Sequence, residues 1–181
     1  MEIKLLIGLG NPGKEFEDTY HNVGQLFVDE LAGQDAKFKK EKYFEYIKAE
    51  KPVLIKTLTF MNQSGGAVAA AKKYFTVKPD QILIVHDDSD ISLGNFKLSF
   101  ARSSAGHQGV ESIIKSLRTN RFYRLRVGVR PSREIRRTKA NDLVLKKIPK
   151  REIRILKGLF REIGVPYLKV GGKAYSAVGF R

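Results

Sequence analysis

Four side chains have the types that water-driven cleavage of an acyl bond requires. His21 can take a proton from water at neutral pH, because an unperturbed imidazole titrates near ~6.5. A carboxylate must then hold its ring in one tautomer, and Asp90 is the candidate. The developing oxyanion needs neutral hydrogen-bond donors, which the carboxamides of Asn11 and Asn62 can supply. A capping or packing role is the ordinary alternative for a lone histidine such as His21. Other routes fit less well. The chain has no cysteine, which excludes a thiolate nucleophile and cysteine-ligated metal centres. Its serines stand in no G-x-S-x-G elbow. His21, His86 and His107 are well separated and form no HExxH or HxH pairing, so spacing supports no catalytic zinc. Asp87, Asp88 and Asp90 have the chemistry to bind magnesium, but an acidic run at a strand end is more often a turn or capping feature. Gly8-x-Gly10-x-x-Gly13 has the form of a dinucleotide fingerprint and fails on context. Pro12 and the segment Lys14 to Asp18 delay the next helix, whereas a dinucleotide loop opens directly into one.

The elements that must position these groups can be read from periodicity. Ile3 to Ile7 is a buried strand running into the turn-rich Gly8–Gly13 loop. Val23, Leu26, Phe27 and Leu31 predict a helix over 23–32, stopped by Gly33. Tyr43–Ala49 and Val53–Ile55, parted by Pro52, predict a hairpin. Ser64 can cap a helix from Gly65 to Phe75. Gln81–Val85 is a buried strand that delivers His86 to Asp90 at its end, and Phe96–Phe100 alternates like an edge strand. Val110, Ile113, Ile114 and Leu117 make a helical stripe, Leu125–Val129 is the last strand, and two basic helices follow at about 139–147 and 150–163. The alternation predicts one α/β domain over 1–181, with three layers and a mixed, mostly parallel central sheet flanked by helices. In such folds ligands bind beyond the carboxyl ends of the strands, where Asn11, Asn62 and Asp90 are candidates to converge.

Charge indicates the kind of partner. The chain carries 34 Lys and Arg against 19 Asp and Glu, a net +15, and 42% hydrophobic residues, enough for a core. Between Arg118 and Glu162 stand 16 basic and 4 acidic residues, leaving +12 of the total in that stretch. So uneven a distribution points to a polyanion, with nucleic acid favoured over membrane because no basic stretch has a large uninterrupted apolar face. A basic surface kept for solubility is the alternative. No apolar run approaches the ~20 residues of a membrane span and the start lacks a signal peptide, so a soluble cytoplasmic protein is expected.

Five ordered blocks carry a family likeness. They are Gly8-Leu9-Gly10-Asn11-Pro12-Gly13, Thr19-x-His21-Asn22-Val23-Gly24, Thr59-Phe60-Met61-Asn62-x-Ser64-Gly65, His86-Asp87-x-x-Asp90 and Gly106-His107-x-Gly109. In that order they resemble bacterial-type peptidyl-tRNA hydrolases, from residue 3 through Phe122-x-Arg124-Leu125-Arg126-Val127-Gly128 and, more loosely, to about 165. The resemblance implies a monomeric enzyme, free of metal and cofactor, that hydrolyses the ester of peptidyl-tRNA from stalled ribosomes and recycles tRNA. It makes His21 the general base and Asp90 its orienting partner, with Asn11 and Asn62 holding peptide and oxyanion and Met61 lining the peptide groove. It places Lys97 and Arg126 where the family clamps the tRNA 5′-phosphate. The basic region of about 138–165 is expected to act as a helical lid over the acceptor stem, the alternative being ordinary core packing by Leu143, Ile148, Ile155 and Leu159 with its charges solvated. Two departures stand out. Gln108 replaces the family's asparagine, moving the amide that binds substrate and water by one methylene, roughly 1.5 Å, a displacement that can cost ~10²-fold in rate. Ala105 replaces a glycine and would be strained at positive φ. A non-catalytic RNA-binding protein on the same fold is the rival reading, set against it by the intact set of His21, Asp90, Asn11 and Asn62.

Overall fold

Alternation along strand β1 (Leu5–Gly8) sorts the molecule into layers. Leu5 and Ile7 belong to one hydrophobic cluster and Leu6 to another, because successive strand side chains point to opposite faces. The computed structural model describes residues 2–48, 52–131 and 144–168. Within them the strands β2 (Lys39–Lys40), β3 (Phe44–Ile47), β4 (Val53–Thr57), β5 (Ile82–Ser92), β6 (Phe96–Phe100) and β7 (Tyr123–Arg130) complete a seven-stranded sheet in the order β2-β3-β4-β1-β5-β7-β6. The centre β4-β1-β5-β7 is parallel, and β2, β3 and β6 run antiparallel at the edges.

Helix α1 (Val23–Ala32) packs on the face carrying Leu6, Leu83, Val85, Leu125 and Val127. The last helix, α4 (Lys150–Leu168), lies against α1 and buries Leu156, Leu159, Phe160 and Ile163 in the same cluster. The Phe160 ring meets Phe27 edge-on at 5.1 Å between centroids. At roughly 1.5–3 kcal/mol per fully buried apolar side chain, this contact is firm enough to fix α4 while its cations stay outside. Helices α2 (Ser64–Tyr74) and α3 (Gln108–Leu117) cover the other face through Val68, Ala71, Val110 and Ile113. The three-layer α/β architecture is thus as expected.

Several details differ from the sequence reading, and those that bear on the site are these. Strand β5 continues to Ser92, so His86 to Asp90 lie within it, with a register shift between Asp88 and Ser92 that marks a bulge. Ser64 does not cap α2: it is the first helical residue, its hydroxyl faces the Met61 sulfur, and Gln63 at the cap position makes no side-chain bond. The second basic helix begins at Lys150 and runs to Leu168, beyond the expected end. Most of the first basic helix, through residue 143, falls outside the described residues, as do Ala49 and the tail from 169.

Candidate active site

The carboxyl ends of β1 and β5 set the site. A β-carbon on Gly24 would lie 2.3 Å from the Val85 carbonyl oxygen, and one on Gly8 2.2 Å from the Gly24 carbonyl oxygen. Only glycine at both places lets the first turn of α1 sit directly on the sheet. The short 3-10 turn Tyr20–Asn22 just before α1 therefore hangs His21 over β5. There the His21 Nδ1–H donates to Asp87 Oδ1 at 2.8 Å. His107, at the cap position of α3, donates from Nε2–H to the same oxygen at 3.0 Å, while its Nδ1 accepts from the Val110 amide at 3.3 Å. An ionised carboxylate can only accept, so both tautomers are fixed by what surrounds them. Asp87 is 2% exposed. Burial pushes its carboxyl up, but the His107 and His21 rings more than offset this and hold it well below the usual carboxylate range.

The acidic partner of His21 is therefore Asp87, and the expected pairing with Asp90 is corrected. The reason is the period of the strand. Leu83, Val85 and Asp87 share a parity, and the first two face α1, so the third faces the turn that precedes α1. Asp90 is three residues further on, past the start of the bulge. It is exposed at the outer wall of the pocket, with its amide donating to Asp88 Oδ1.

The three histidines, far apart in sequence, converge. The His21 and His107 rings lie 5.2 Å apart, and those of His107 and His86 4.5 Å apart. His86 is wholly buried with Nδ1–H donating to the Asp87 carbonyl, and burial together with His107 holds its pKa well below the ordinary imidazole value. It is a neutral packing partner. His21, Asp87 and His107 could also ligate a metal, since one ligand atom from each lies within 4.8 Å of the others. In the arrangement described, the nitrogens nearest Asp87 carry protons rather than free lone pairs.

Asn11 is oriented from both ends. Its backbone exchanges two hydrogen bonds of 2.9 Å with the Asn22 carboxamide, and its Oδ1 accepts from the Met61 amide at 2.7 Å. With Oδ1 committed, the Nδ2 hydrogens are the end offered to the pocket. That pocket, of about 520 Å³, is lined by Asn11, His21, Met61, Asn62, Asp87, Asp90, His107 and Gln108, with Phe16, Phe60, Val144 and Leu145 as apolar wall. Asn11, Asn62 and Asp90, the residues expected to converge, thus line one pocket with His21, as do Met61 and Gln108. Met61 is buried under the floor, whereas Asn62 and Gln108 are exposed at the rim. Ala105 does adopt positive φ, at 51°, in the loop that presents His107. Arg124 steadies that loop by donating to the Ser103 carbonyl at 2.8 Å, and its burial, together with Arg126 nearby, lowers its pKa to about 10.

Lys97 and Arg126 lie outside this pocket, directly opposite each other on β6 and β7. Lys97 is exposed, and Arg126 donates from Nε to Asp88 Oδ2 at 2.7 Å. Asp88 also lines the pocket, so it links the cation pair to the site. Sequence reasoning gave Asn22 no role, and it weighed Asp87, Asp88 and His107 only as metal ligands, not as partners in this arrangement. Strand parity could have found Asp87, whereas the others depend on contacts across 11 to 38 positions of chain.

In chemical terms, an imidazole held at Nδ1 by a buried carboxylate, with Nε2 making no hydrogen bond among the described residues, is equipped as a general base. A directed amide donor in the same pocket suits an oxyanion. Known proteins resemble the chain in sequence and fold. The chain is 47% identical over 134 residues to a peptidyl-tRNA hydrolase of Neisseria meningitidis, covering 70% of each. It is 43% identical over 141 residues to that of Aquifex aeolicus, covering 74% of this chain and 73% of the relative. The crystal structure of peptidyl-tRNA hydrolase from Acinetobacter baumannii superposes with a TM-score of 0.77 at 31% identity, over 90% of this chain and 85% of that one. The peptidyl-tRNA hydrolase family model matches residues 5–166. Sequence and overall fold agree over nearly all the described residues, and the chain belongs to the peptidyl-tRNA hydrolase family.

Proposed function

We propose that the protein hydrolyses the ester joining a peptide to the terminal ribose of tRNA, releasing the peptide and returning tRNA for recycling after ribosome stalling. The observation that carries this reading is His21, tied at Nδ1 to buried Asp87, with Nε2 making no hydrogen bond among the described residues, in the pocket that Asn11 also lines. His21 Nε2 takes a proton from water as the water oxygen adds to the ester carbonyl. Asp87 stabilises the imidazolium so formed. Asn11 Nδ2–H, with Asn62 at the rim, donates to the tetrahedral oxyanion. Collapse breaks the bond to the ribose oxygen, which leaves with the proton returned by His21, and the peptide departs as a carboxylic acid. The chemistry uses this chain's own side chains, with neither metal nor cofactor.

The peptide lies against Met61 and Phe60, and Gln108 reaches for substrate or water at a longer radius than an asparagine would. Lys97 and Arg126 meet the 5′-phosphate, which carries more charge than an internal phosphate and suits paired cations. The exposed Lys150, Arg151 and Arg154 of α4 lie along the acceptor stem in a lid-like role. The enzyme works as a monomer in the cytoplasm; among the described residues no helix is long and apolar enough to cross a membrane. Incubation with N-blocked peptidyl-tRNA, and with free aminoacyl-tRNA as comparison, tests the reading. Release of intact tRNA and free peptide is expected, and salt-sensitive binding without release would establish the non-catalytic alternative.

A further inference from the structure

The turn that carries the base is fastened to the basic helix. Tyr20, next to His21, donates its phenolic O–H to Glu152 Oε2 on the first turn of α4 at 2.6 Å. The Tyr20 amide donates to the Lys146 carbonyl at 3.2 Å, and the Ile148 amide to the Asp18 carbonyl at 2.7 Å. Thr19 and Lys147 pair as an antiparallel bridge, and the Lys147 ammonium reaches the Glu17 and Lys14 carbonyls. The strap of residues 144–148 thus lies along the loop 14–20, and its own Val144 and Leu145 form pocket wall. Tyr20 is 4% exposed. A phenol that deep donating to a carboxylate at 2.6 Å makes one of the stronger neutral-to-ionic hydrogen bonds.

We infer that Tyr20 and Glu152 are a positioning pair for the hydrolytic reaction: their hydrogen bond holds the His21 turn to α4, so that the helix meeting the RNA also sets the placement of the base. This deepens the function proposed above and rests on it. Neither residue touches the reacting atoms. Both act through His21, whose ring must stay within hydrogen-bond reach of Asp87 on one side and of the attacking water on the other. Glu152 is the acid of α4's first turn, where the helix dipole favours a negative charge.

The test uses the full chain, the single variants Tyr20→Phe, Glu152→Ala and Glu152→Gln, and the Tyr20→Phe/Glu152→Ala double variant. Tyr20→Phe removes only the donor oxygen, so the ring still fills its space. A shift of about 1 Å in the base can cost up to ~10²-fold, and a partial shift roughly tenfold. Tyr20→Phe and Glu152→Ala should each lower kcat on peptidyl-tRNA roughly tenfold with KM within about twofold, and the double variant should lose no more than either alone. Glu152→Gln, whose amide oxygen still accepts, should recover most of the rate. The His21 Nδ1–H proton resonance should also move in Tyr20→Phe, a readout that does not depend on turnover. Wild-type kcat in Tyr20→Phe, with an unmoved His21 signal, overturns the inference, as does a loss carried entirely by KM. If the wild-type protein cleaves no peptidyl-tRNA, the functional reading fails, and the resonance then decides the positioning contact alone.

Discussion

Replacing Asp87 by asparagine isolates the charge that the site depends on. The side chain keeps its shape and an acceptor oxygen, so His21 Nδ1–H and His107 Nε2–H can still donate to it, now at 2.8 and 3.0 Å from a neutral group. What disappears is the attraction between the carboxylate and the imidazolium formed as His21 takes its proton. Two unit charges about 4 Å apart interact by about 4 kcal/mol at an effective dielectric of about 20. At 1.36 kcal/mol per factor of ten, that predicts a fall in kcat of roughly 10³. The comparison is Asp90→Asn, which changes an exposed carboxylate by the same atoms. Exposed charge interactions are worth about 0–1 kcal/mol, so kcat should stay within about fivefold. Both are read by single-turnover cleavage of peptidyl-tRNA, with circular dichroism to establish folding. If Asp90→Asn lost as much as Asp87→Asn, or more, the parity argument and the orientation of His21 would both be wrong.

Other consequences follow from the same contacts. Ala105 sits at φ 51°, where a β-carbon is strained, so Ala105→Gly should raise the unfolding free energy by roughly 0.5–1 kcal/mol in urea titrations; a lower value would show the loop is not strained. His86 is buried and neutral, with a pKa below the unfolded value of ~6.5, so its stabilisation is complete above that pH and lost as the pH falls through it. Wild-type stability should drop between pH 7 and 5.5 with a slope of up to about 1.4 kcal/mol per unit from this group, and His86→Gln should flatten the curve; an equal drop in both would refute the assignment. Lys97→Ala should weaken tRNA binding uniformly and reduce the slope of log affinity against log salt by roughly one, and an unchanged slope would remove Lys97 from the phosphate contact.

Much of this was legible in the chain, for physical reasons that differ by element. Helix α1 has the bounds expected from its apolar spacing and Gly33, because burial of Phe27 and Val28 demands that spacing. The strand containing Asp87 was harder. His86-Asp87-Asp88-Ser89-Asp90 is as polar as a loop, and only pairing with β7 keeps it extended. The three-residue step from Asp87 to Asp90 then changes both face and, through the bulge, direction, which no local propensity encodes. The gathering of His21, His86 and His107 was equally hidden, since each is brought by a different element, namely the turn before α1, strand β5 and the cap of α3. The tether between Tyr20 and Glu152 spans 132 positions and left no pattern to read.

The most direct test of the central claim is single-turnover hydrolysis of peptidyl-tRNA by His21→Ala, with tRNA binding measured on the same samples. With the base gone and the Asn11 donor and phosphate contacts in place, binding should stay within about threefold while cleavage falls by roughly 10³ or more. Cleavage at the wild-type rate would contradict the account, because a group other than His21 would then be taking the proton from water.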